Sequence, residues 1–504
     1  MLKMFRDKFL LELVVFTSGA LVMIFEIVGS RILAPFIGTS TYIWTSLIGV
    51  ILGSLSLGYW LGGKLADRQP NLQVLSAVMF LGGAFLSLTI LLHNLVLSII
   101  SVSSFGLEIK SILAALILFA PASVLFGFVT PYAVRLKMQT VENAGKTVGR
   151  LYALSTVGSI LGTFSAGFFL LPFIGSLRTL YLIAGILFVL SLLLAPFKAT
   201  TVNLFAVILF PAAILFQEGY SYAMFSSYEM RDFDTQYNRL QIYRSNEKET
   251  ERPMLILSTD PLSAQSAMYL ESEELVLNYA KYYHLLRHFK PDFQSTLIIG
   301  GAAYSFPKHY LKEYPNKQID VVEIDPQMTE LARKYFRLQD DPNLQIFHED
   351  GRVFLNQNTK KYDVILVDAF TSIYSVPFQL TTIEAVKQIE KSLTPDGVVI
   401  VNLISAFEGE GAKFLQAEMR TYKEVFPNVY TIKARTEKPA NLAQNAIIVA
   451  TKSNNISFES SDETISTLLK NRYEMPIDLS LPILTDDLAP VEYYNSLAQK
   501  YAER

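Results

Sequence analysis

The sequence predicts two structural parts, an N-terminal all-α transmembrane bundle of about seven helices and a C-terminal α/β domain with a doubly wound sheet. Three observations lead to this fold class. Mean hydropathy is positive although 18 % of the 504 residues are charged, so part of the chain must leave water. Charged residues are sparse before Gln217 and dense from Tyr228 onwards. In that second part, apolar runs alternate with helical stretches, a pattern typical of a parallel sheet covered by helices.

The change in composition predicts a boundary near residue 218, with the bundle in 1–217 and the α/β domain in 218–504. Within the second part, 218–270 is predicted to be a β-rich entry piece and 271–504 the doubly wound sheet. A helix is predicted at about 272–289. The net charge of −3 argues against a nucleic-acid partner. The sequence has no cysteine, and none of its five histidines has a metal-ligand spacing, so no metal is expected.

The membrane prediction depends on long apolar stretches. A spanning helix needs about 20 mostly apolar residues, because lipid offers no hydrogen-bond partner to the backbone. The first stretch is too long for a signal-peptide core and predicts a retained anchor. The seventh is the weakest, because about 18 residues barely cover the hydrocarbon core and Pro211 interrupts it. The seven candidate spans are 9–35, 41–63, 72–100, 108–134, 147–173, 178–197 and 200–217.

Small and charged residues inside these spans call for an explanation. Glycines recur in the second and fifth spans, at Gly49, Gly53, Gly58, Gly62, Gly158 and Gly162. They predict close helix packing, with a substrate path through the bundle as the alternative. Glu12, Glu26 and Arg31 lie in the first span, and we expect partners for them on other helices. A buried ion pair that fixes packing and a functional polar site are both open here.

Basic residues between the spans predict the orientation of the bundle. Most of them flank one set of helix ends, at Lys3, Arg6, Lys8, Lys64, Arg68, Arg135, Lys137, Lys146 and Lys198, and these ends are expected to be cytoplasmic. The opposite ends carry Lys110 and Arg178. Seven full spans would place the C-terminal domain outside the cytoplasm. If 200–217 instead lies in the interface or re-enters the membrane, the domain is cytoplasmic.

Glycines and carboxylates follow the strands of the predicted sheet. They are Gly300 and Gly301 after the first strand, Glu323 and Asp325 after the second, Asp350 and Gly351 after the third, and Asp368 after the fourth. A glycine turn lets a nucleoside approach the backbone, and a carboxylate about 20 residues later can accept hydrogen bonds from ribose. The order predicts an adenosine-type ligand.

Each carboxylate also has a structural interpretation. Glu323 and Asp350 could instead cap strand ends or form surface salt bridges. Asp368 opens the loop DAFTSIYSVP, where it could accept a proton from an attacking amine. The alternative for Asp368 is a cap on the next segment. His284 and His288 are expected to pack or to meet solvent.

Several stretches carry a resemblance to a known family. Through LIIGGAAY, VVEIDP, HEDGRVFL, YDVILVDAF and LTPDGVVIVN, the second part resembles spermidine synthases, also called polyamine aminopropyltransferases. Through GFVTPYAVRL, GRLYALSTVGSILG and TDDLAPVEYY, the whole chain resembles their membrane-fused bacterial relatives. The resemblance implies a Rossmann-like, methyltransferase-type fold, multi-pass insertion in a bacterial inner membrane, and a homodimer.

The resemblance also implies an activity and a set of site residues. Relatives bind S-adenosylmethionine or its decarboxylated form, and they transfer an aminopropyl group to an amine such as putrescine. By match, Glu323 holds ribose and Asp350 the adenine amino group, while Gln265 and Asn238 line the nucleoside pocket. Asp368 then binds the amine. The acceptor is expected to be a small amine or a membrane-associated molecule.

The sequence departs from the family pattern at two positions. The glycine loop reads GGAAY, so Ala303 replaces an acidic residue, and Thr371 replaces the second acidic residue of the loop after the fourth strand. Both changes weaken putrescine as the acceptor more than they weaken nucleoside binding. The alternative function is a membrane transporter or scaffold whose soluble domain is a degenerate, non-catalytic nucleotide-binding sensor.

Overall fold

The chain divides into two compact units, Met1–Leu240 and Gln241–Arg504, which we describe separately. A computed structural model of the protein describes residues 2–138, 140, 143–195, 201–259, 264–369, 375–453 and 456–500. Lys198 and Thr371, which the sequence singled out, lie outside these residues. The predicted boundary at 217/218 falls inside a helix that ends at Tyr228. The division into a membrane part before this boundary and a soluble part after it stays a prediction.

The first unit is built of long helices. They are α1 (Leu2–Ile37), α2 (Thr41–Arg68), α3 (Leu72–Ser101), α4 (Leu107–Leu118), α5 (Ala120–Lys137), α6 (Ala144–Ser165) with a π-helical extension (Ala166–Ile174), α7 (Ser176–Leu194) and α8 (Thr201–Tyr228). In the described part of the chain, five helices are long and apolar enough to cross a membrane. The number is six if the bent pair α4–α5 counts as one span.

Two of the predicted spans differ in shape from a straight helix. The predicted span 108–134 is broken between α4 and α5, whose axes differ by 55°. Pro121 lies in the first turn of α5, where its ring cannot continue the hydrogen-bond ladder of α4. The predicted span 200–217 is longer than expected, because α8 continues to Tyr228. Residues 218–228 are therefore helical and do not belong to a β-rich piece.

Close helix packing is confirmed for four of the six glycines. An added Cβ at Gly158 would overlap the Phe16 carbonyl oxygen of α1, and at Gly162 it would overlap that of Ala20. In α2, Gly58 and Gly62 lie equally close to the α5 backbone. The exceptions are Gly49 and Gly53, which have open space around them.

The acidic residues of α1 differ in their partners. Glu12 accepts hydrogen bonds from Lys137 of α5 and from Arg150 of α6, whose Nε lies 2.8 Å from the carboxylate. Its expected interhelical partners are therefore confirmed. Arg31 donates to the Gln236 carbonyl oxygen at 2.6 Å. Within the described residues, Glu26 forms no ion pair.

A small sheet connects the helices to the α/β domain. Its order is β1 (Arg231–Asp234), β2 (Arg239–Asn246), β3 (Pro253–Ser258) and β4 (Ser266–Tyr269). The pairs β2–β3 and β3–β4 are antiparallel. These strands lie within the predicted β-rich entry piece 218–270.

The second unit contains an eight-stranded sheet of order β12-β10-β11-β9-β8-β5-β6-β7. Its strands are β5 (Ser295–Ile299), β6 (Gln318–Val322), β7 (Leu344–Phe347), β8 (Tyr362–Val367), β9 (Leu393–Ser405), β10 (Asn428–Lys433), β11 (Gln444–Thr451) and β12 (Arg472–Tyr473). The strands β5 to β9 are parallel, whereas β10, β11 and β12 pair antiparallel. The predicted, mostly parallel, doubly wound sheet is confirmed.

Helices cover this sheet on both faces. They are α9 (Asn278–Lys281), α10 (Leu286–Phe289), α11 (Ser305–Glu313), α12 (Pro326–Tyr335), α13 (Gly351–Gln357), α14 (Ile383–Ser392), α15 (Lys413–Lys423), α16 (Glu463–Leu469) and α17 (Val491–Lys500). Neighbouring strand residues alternate between the two cores: Ile299 and Ile365 pack in one, Ile298 and Leu366 in the other. The predicted helix 272–289 was wrong in its extent, since only 278–289 is helical and a 3-10 turn, Tyr282–Leu285, interrupts it.

Candidate active site

The parallel register brings one row of residues to the carboxyl edge of the sheet. Ile299 of β5 pairs with both Val322 of β6 and Val367 of β8, so the residues that follow them become neighbours. The same register continues to β7 and β9. Across the edge, the row reads His348, Glu323, Gly300, Asp368 and Asn402. The strand order reverses between β5 and β8, and ligands of open α/β sheets bind at such a point.

The turn after β5 needs glycine and is held by Glu323. Gly300 has φ +103°, and a Cβ there would overlap the Asp368 carbonyl oxygen. Glu323 accepts hydrogen bonds from the backbone N–H groups of Gly301 and Ala302, each at 2.9 Å, and from that of Asp325 at 2.9 Å. A carboxylate has about four acceptor sites, so one remains for a ligand hydroxyl. Glu323 therefore shapes the turn as well as facing the edge.

Burial and hydrogen bonds act in opposite directions on Glu323. The side chain is only 7 % exposed, and burial raises its pKa. The three backbone N–H groups lower that pKa because they stabilise the charged form. Ala303 is fully buried. Its methyl group adds no polar contact to the edge.

Asp368 receives an ordered set of donors. Asn402 Nδ2 donates to Asp368 Oδ1 at 2.9 Å, and Asn402 Oδ1 accepts from Asn445 Nδ2 at 3.0 Å. The Asn445 contact fixes which way the Asn402 amide points, so the amide N–H faces the carboxylate. Burial raises the pKa of Asp368, and the hydrogen bond from Asn402 opposes that rise.

Two tyrosines complete the surroundings of Asp368. Tyr283 and Tyr279 both lie within electrostatic range of Asp368, and their hydroxyl groups lower the pKa of its carboxyl group. The two rings pack edge to face, with centroids 6.0 Å apart. Burial, together with the Asp368 charge, raises the pKa of each phenol well above its usual value. Both hydroxyl groups therefore stay protonated.

Asp350 and Gly351 lie where β7 leads into α13. Asp350 caps that helix, since its Oδ1 accepts from Arg352 N at 2.9 Å and from Val353 N at 3.1 Å. Both bonds end on Oδ1, which leaves Oδ2 without a bond to any described residue. Gly351 packs on the end of β5, where an added Cβ would lie 2.6 Å from Ile299 Cγ2. Capping and ligand binding are thus compatible at Asp350.

The other three predicted ligand-binding residues, Asp325, Gln265 and Asn238, lie in three different parts of the chain. Asp325 is fully buried and caps α12 by accepting from Gln327 N at 3.0 Å. Gln265 is half-buried just before β4, and its N–H donates to the Leu257 carbonyl oxygen. Asn238 belongs to the first unit, in the turn between β1 and β2. Ligand contacts by these three residues stay predictions.

A cavity of about 370 Å³ lies elsewhere in the second unit, beside α11 and β4. None of the predicted site residues lines it. Two of its charged groups, Lys312 and Glu273, form an ion pair at 2.8 Å. Among the described residues, no group of three His, Asp or Glu side chains could hold a metal ion. The carboxyl edge is thus the better candidate site.

The edge suits a reaction in which an amine loses a proton beside a bound nucleoside. Of the three predicted carboxylates Glu323, Asp350 and Asp368, only Asp368 accepts no hydrogen bond from the backbone of the described residues. A cap by Asp368 on the segment 370–374 lies outside those residues.

Sequence reasoning missed Asn402 and Asn445, because only strand register brings Asn402 to Asp368 and Asn445 to Asn402. The spacing of Tyr279 and Tyr283, four residues apart in a predicted helix, could have placed them on one face.

Comparisons with known proteins bear on the second unit. Residues 280–460 match the family model described as "Spermine/spermidine synthase domain". The chain is 29 % identical over 278 residues to a probable polyamine aminopropyl transferase of Bifidobacterium longum, covering 51 % of this chain and 60 % of that one. It is 34 % identical over 152 residues to a polyamine aminopropyltransferase of Vibrio vulnificus, covering 30 % and 49 %. Residues 280–460 are therefore similar to the synthase domain of a transferase family.

The extent of these matches is limited. The chain spans about half to three fifths of the length of the curated relatives named above. A probable spermidine synthase of Corynebacterium glutamicum is among the similar solved structures, with 22 % sequence identity and a TM-score of 0.40. That alignment covers 47 % of this chain and 85 % of the other.

Proposed function

We propose that the protein is a membrane-bound aminopropyltransferase-like enzyme that alkylates an amine with decarboxylated S-adenosylmethionine or a related adenosyl sulfonium. The observation that carries the proposal is the row in which Asp368 lies beside Gly300 and Glu323 at the reversal of strand order. A glycine turn lets a nucleoside approach the backbone, and Glu323 keeps one acceptor site for a ribose hydroxyl. Asp350 Oδ2 is available to the adenine amino group.

The reaction balances with the groups at this edge. The amine nitrogen attacks the carbon next to the positive sulfur, and a C–N bond forms as the C–S bond breaks. The electron pair of the C–S bond stays on sulfur, which leaves as a neutral thioether, methylthioadenosine. The surplus proton on nitrogen passes to Asp368. The sulfonium is already a good leaving group, so positioning and proton removal supply most of the catalysis.

We propose further that the first unit spans a bacterial inner membrane several times. Five to six described helices have sufficient length and hydropathy for this. Large apolar side chains such as Leu52, Trp60 and Phe168 are exposed on their outer faces, as lipid contact requires. We also expect a homodimer, as the family resemblance implies. Sedimentation of the detergent-solubilised chain tests that expectation.

Product analysis tests the proposed reaction. The full-length chain, purified in detergent, is incubated with decarboxylated S-adenosylmethionine and either putrescine, a longer diamine or a monoamine. Mass spectrometry should detect methylthioadenosine together with the aminopropylated form of at least one amine. Asp350→Ser is a useful companion variant, because serine also caps a helix but does not reach a ligand. Absence of methylthioadenosine with every amine would overturn the proposal.

A further inference from the structure

We infer that the chain leaves the helical bundle at the end opposite its basic residues, so that the transferase-type domain begins on the non-cytoplasmic side of the membrane. This inference rests on the proposed membrane insertion and deepens the proposed function, because it decides where the substrates must be met. The sequence alone does not decide on which side of the membrane the domain lies. Contacts inside the first unit indicate which end of the bundle the chain leaves.

One end of the bundle, here called the basic end, collects Arg68, Arg135, Lys137, Lys146 and Arg150. Contacts show that these helix termini share one end. Arg135 at the end of α5 pairs with Asp67 at the end of α2, at 3.1 Å. Lys137 and Arg150 both bind Glu12 near the start of α1. Cytoplasmic loops carry the excess of Lys and Arg, so the basic end faces the cytoplasm.

The opposite end, here called the far end, contains the last turns of α1 and α3 and the first turn of α7. Lys110 at the start of α4 donates to the Ser101 carbonyl oxygen at 2.7 Å, which places the end of α3 beside the start of α4. Each of these helices reaches the basic end at its other terminus. The far end therefore lies on the non-cytoplasmic side.

Helix α8 runs from the basic end to the far end. It follows α7, which ends at the basic end, and its 28 residues measure about 42 Å, enough to cross a hydrocarbon core of about 30 Å. Gln217 in its second half accepts a hydrogen bond from Asn94, near the end of α3, at 3.2 Å. Over the described residues, α8 is not among the five to six helices counted as long and apolar enough to span. Its length and its contact with α3 suit a crossing.

The segment after α8 is fastened to the far end. Asp234 accepts from the Ser176 N–H and hydroxyl groups, both at 2.8 Å, at the N-terminus of α7. Arg31 of α1 donates to the Gln236 carbonyl oxygen at 2.6 Å. These contacts involve two helices and lie within six residues of Leu240, where the first unit ends.

Arg239 strengthens the same attachment. Its guanidinium is bound by both oxygens of Asp232, at 3.0 and 2.7 Å, and the residue is only 5 % exposed. It lies within electrostatic range of His93 in α3 and of Tyr181 in α7. Separating the buried Arg239 guanidinium from Asp232 would cost free energy. The ion pair therefore holds this segment of the chain at the far end of the bundle.

The location sets a requirement for the reaction. A sulfonium nucleoside and a protonated amine do not cross lipid unaided, because a charge in the hydrocarbon core is costly. A transport step must therefore deliver the donor to the non-cytoplasmic side, or the donor must be formed there.

Single-cysteine labelling tests the inference, and the chain has no cysteine of its own to remove. Three exposed positions suffice: Lys248→Cys at the start of the second unit, Ser104→Cys at the far end and Asn143→Cys at the basic end. Each variant is expressed in a bacterial inner membrane, and spheroplasts are treated with a membrane-impermeant maleimide before and after permeabilisation.

Lys248→Cys and Ser104→Cys should label to nearly the same extent before and after permeabilisation. Asn143→Cys should label only afterwards. If Lys248→Cys is protected in intact spheroplasts, the inference is overturned, whatever Ser104→Cys does. Labelling does not depend on turnover, whereas the product analysis uses purified protein with both substrates present. Failure of one proposal is therefore distinguishable from failure of the other.

Discussion

The Asp368 carboxyl group is subject to two opposing influences. Burial raises its pKa, while the amide of Asn402 and the hydroxyl of Tyr279 stabilise the ionised form. A base must be ionised to accept a proton, yet a higher pKa makes it a stronger base. The chain thus holds a carboxylate that is more basic than an exposed one and still available as an acceptor.

Removing the carboxylate tests this role. Asp368→Asn keeps the shape of the side chain but cannot take the amine proton. We expect kcat to fall by about 10²–10⁴-fold, the usual contribution of a general base. Asp340→Asn is the matched control, because Asp340 is an exposed partner of Arg333 far from the edge. Equal activity in the two variants would contradict the assignment.

The hydrogen bond from Asn402 gives a prediction for pH dependence. It stabilises the charged form, so Asn402→Leu should raise the pKa of Asp368 further. The rate is carried by the ionised form, which appears as pH rises through that pKa. The acidic limb of the kcat/KM profile should therefore move to higher pH. An unshifted limb, with only the plateau lowered, would indicate a structural role for Asn402.

Glu418 predicts a pH effect on stability. This residue of α15 is 2 % exposed, and burial raises its pKa well above the usual value. The folded chain then holds the proton more tightly than the unfolded chain, so stability falls as pH rises from the unfolded pKa towards the folded one. Glu418→Gln cannot ionise. It should unfold a few degrees higher at about pH 8 and show a flatter dependence on pH.

The control for this measurement is Glu424→Gln, an exposed residue just beyond the same helix. Thermal unfolding of the full chain in detergent, followed at several pH values, compares the two variants. The raised pKa of Glu418 should affect stability between about pH 5 and 8. If the unfolding temperature of the parent chain does not fall over this range, the assignment of the pH effect to Glu418 is contradicted.

At the scale of elements, contact between α1 and α6 depends on glycine. Gly158→Ala would push a methyl group into the Phe16 carbonyl oxygen, whereas Gly53→Ala in α2 would meet open space. Overpacking costs about 1–3 kcal/mol, so only the first variant should unfold at lower temperature. Differential scanning fluorimetry in detergent measures both. Equal unfolding temperatures would mean that the helices separate easily at this point.

Sequence reasoning predicted elements well where periodicity alone decides them. Five parallel strands appear where apolar runs follow helical stretches. It did not predict the break between α4 and α5, because Pro121 lies in a stretch that is apolar throughout. It also assigned 218–228 to the β-rich piece, whereas these residues continue α8, since polar residues that follow a span can extend the same helix beyond the lipid.

For the site, the sequence predicts which residues follow the strands but not what they contact. Glu323 and Asp350 lie at the carboxyl edge, yet both also hold the backbone, one at a turn and one at a helix cap. Those bonds depend on backbone geometry that a spacing does not reveal. Asn402 lies in the middle of β9, where only the pairing with β8 shows that it meets Asp368.

For the whole molecule, the division into two units separates two questions. We propose that the second unit carries out the reaction at the carboxyl edge of its sheet. We propose that the first unit anchors the chain in the membrane, and that the contacts at its two ends indicate on which side the chain continues. Neither conclusion depends on the other, since the labelling and product experiments have independent readouts.

Nucleoside binding tests the central claim most directly. The full-length chain in detergent is titrated by calorimetry with methylthioadenosine, S-adenosylmethionine and its decarboxylated form. We predict saturable binding of methylthioadenosine and the decarboxylated donor, weakened about tenfold or more in Asp350→Ser by the loss of a charged hydrogen bond. The helix cap, and hence the unfolding temperature, should be preserved in that variant. No binding of any of the three compounds would contradict the account.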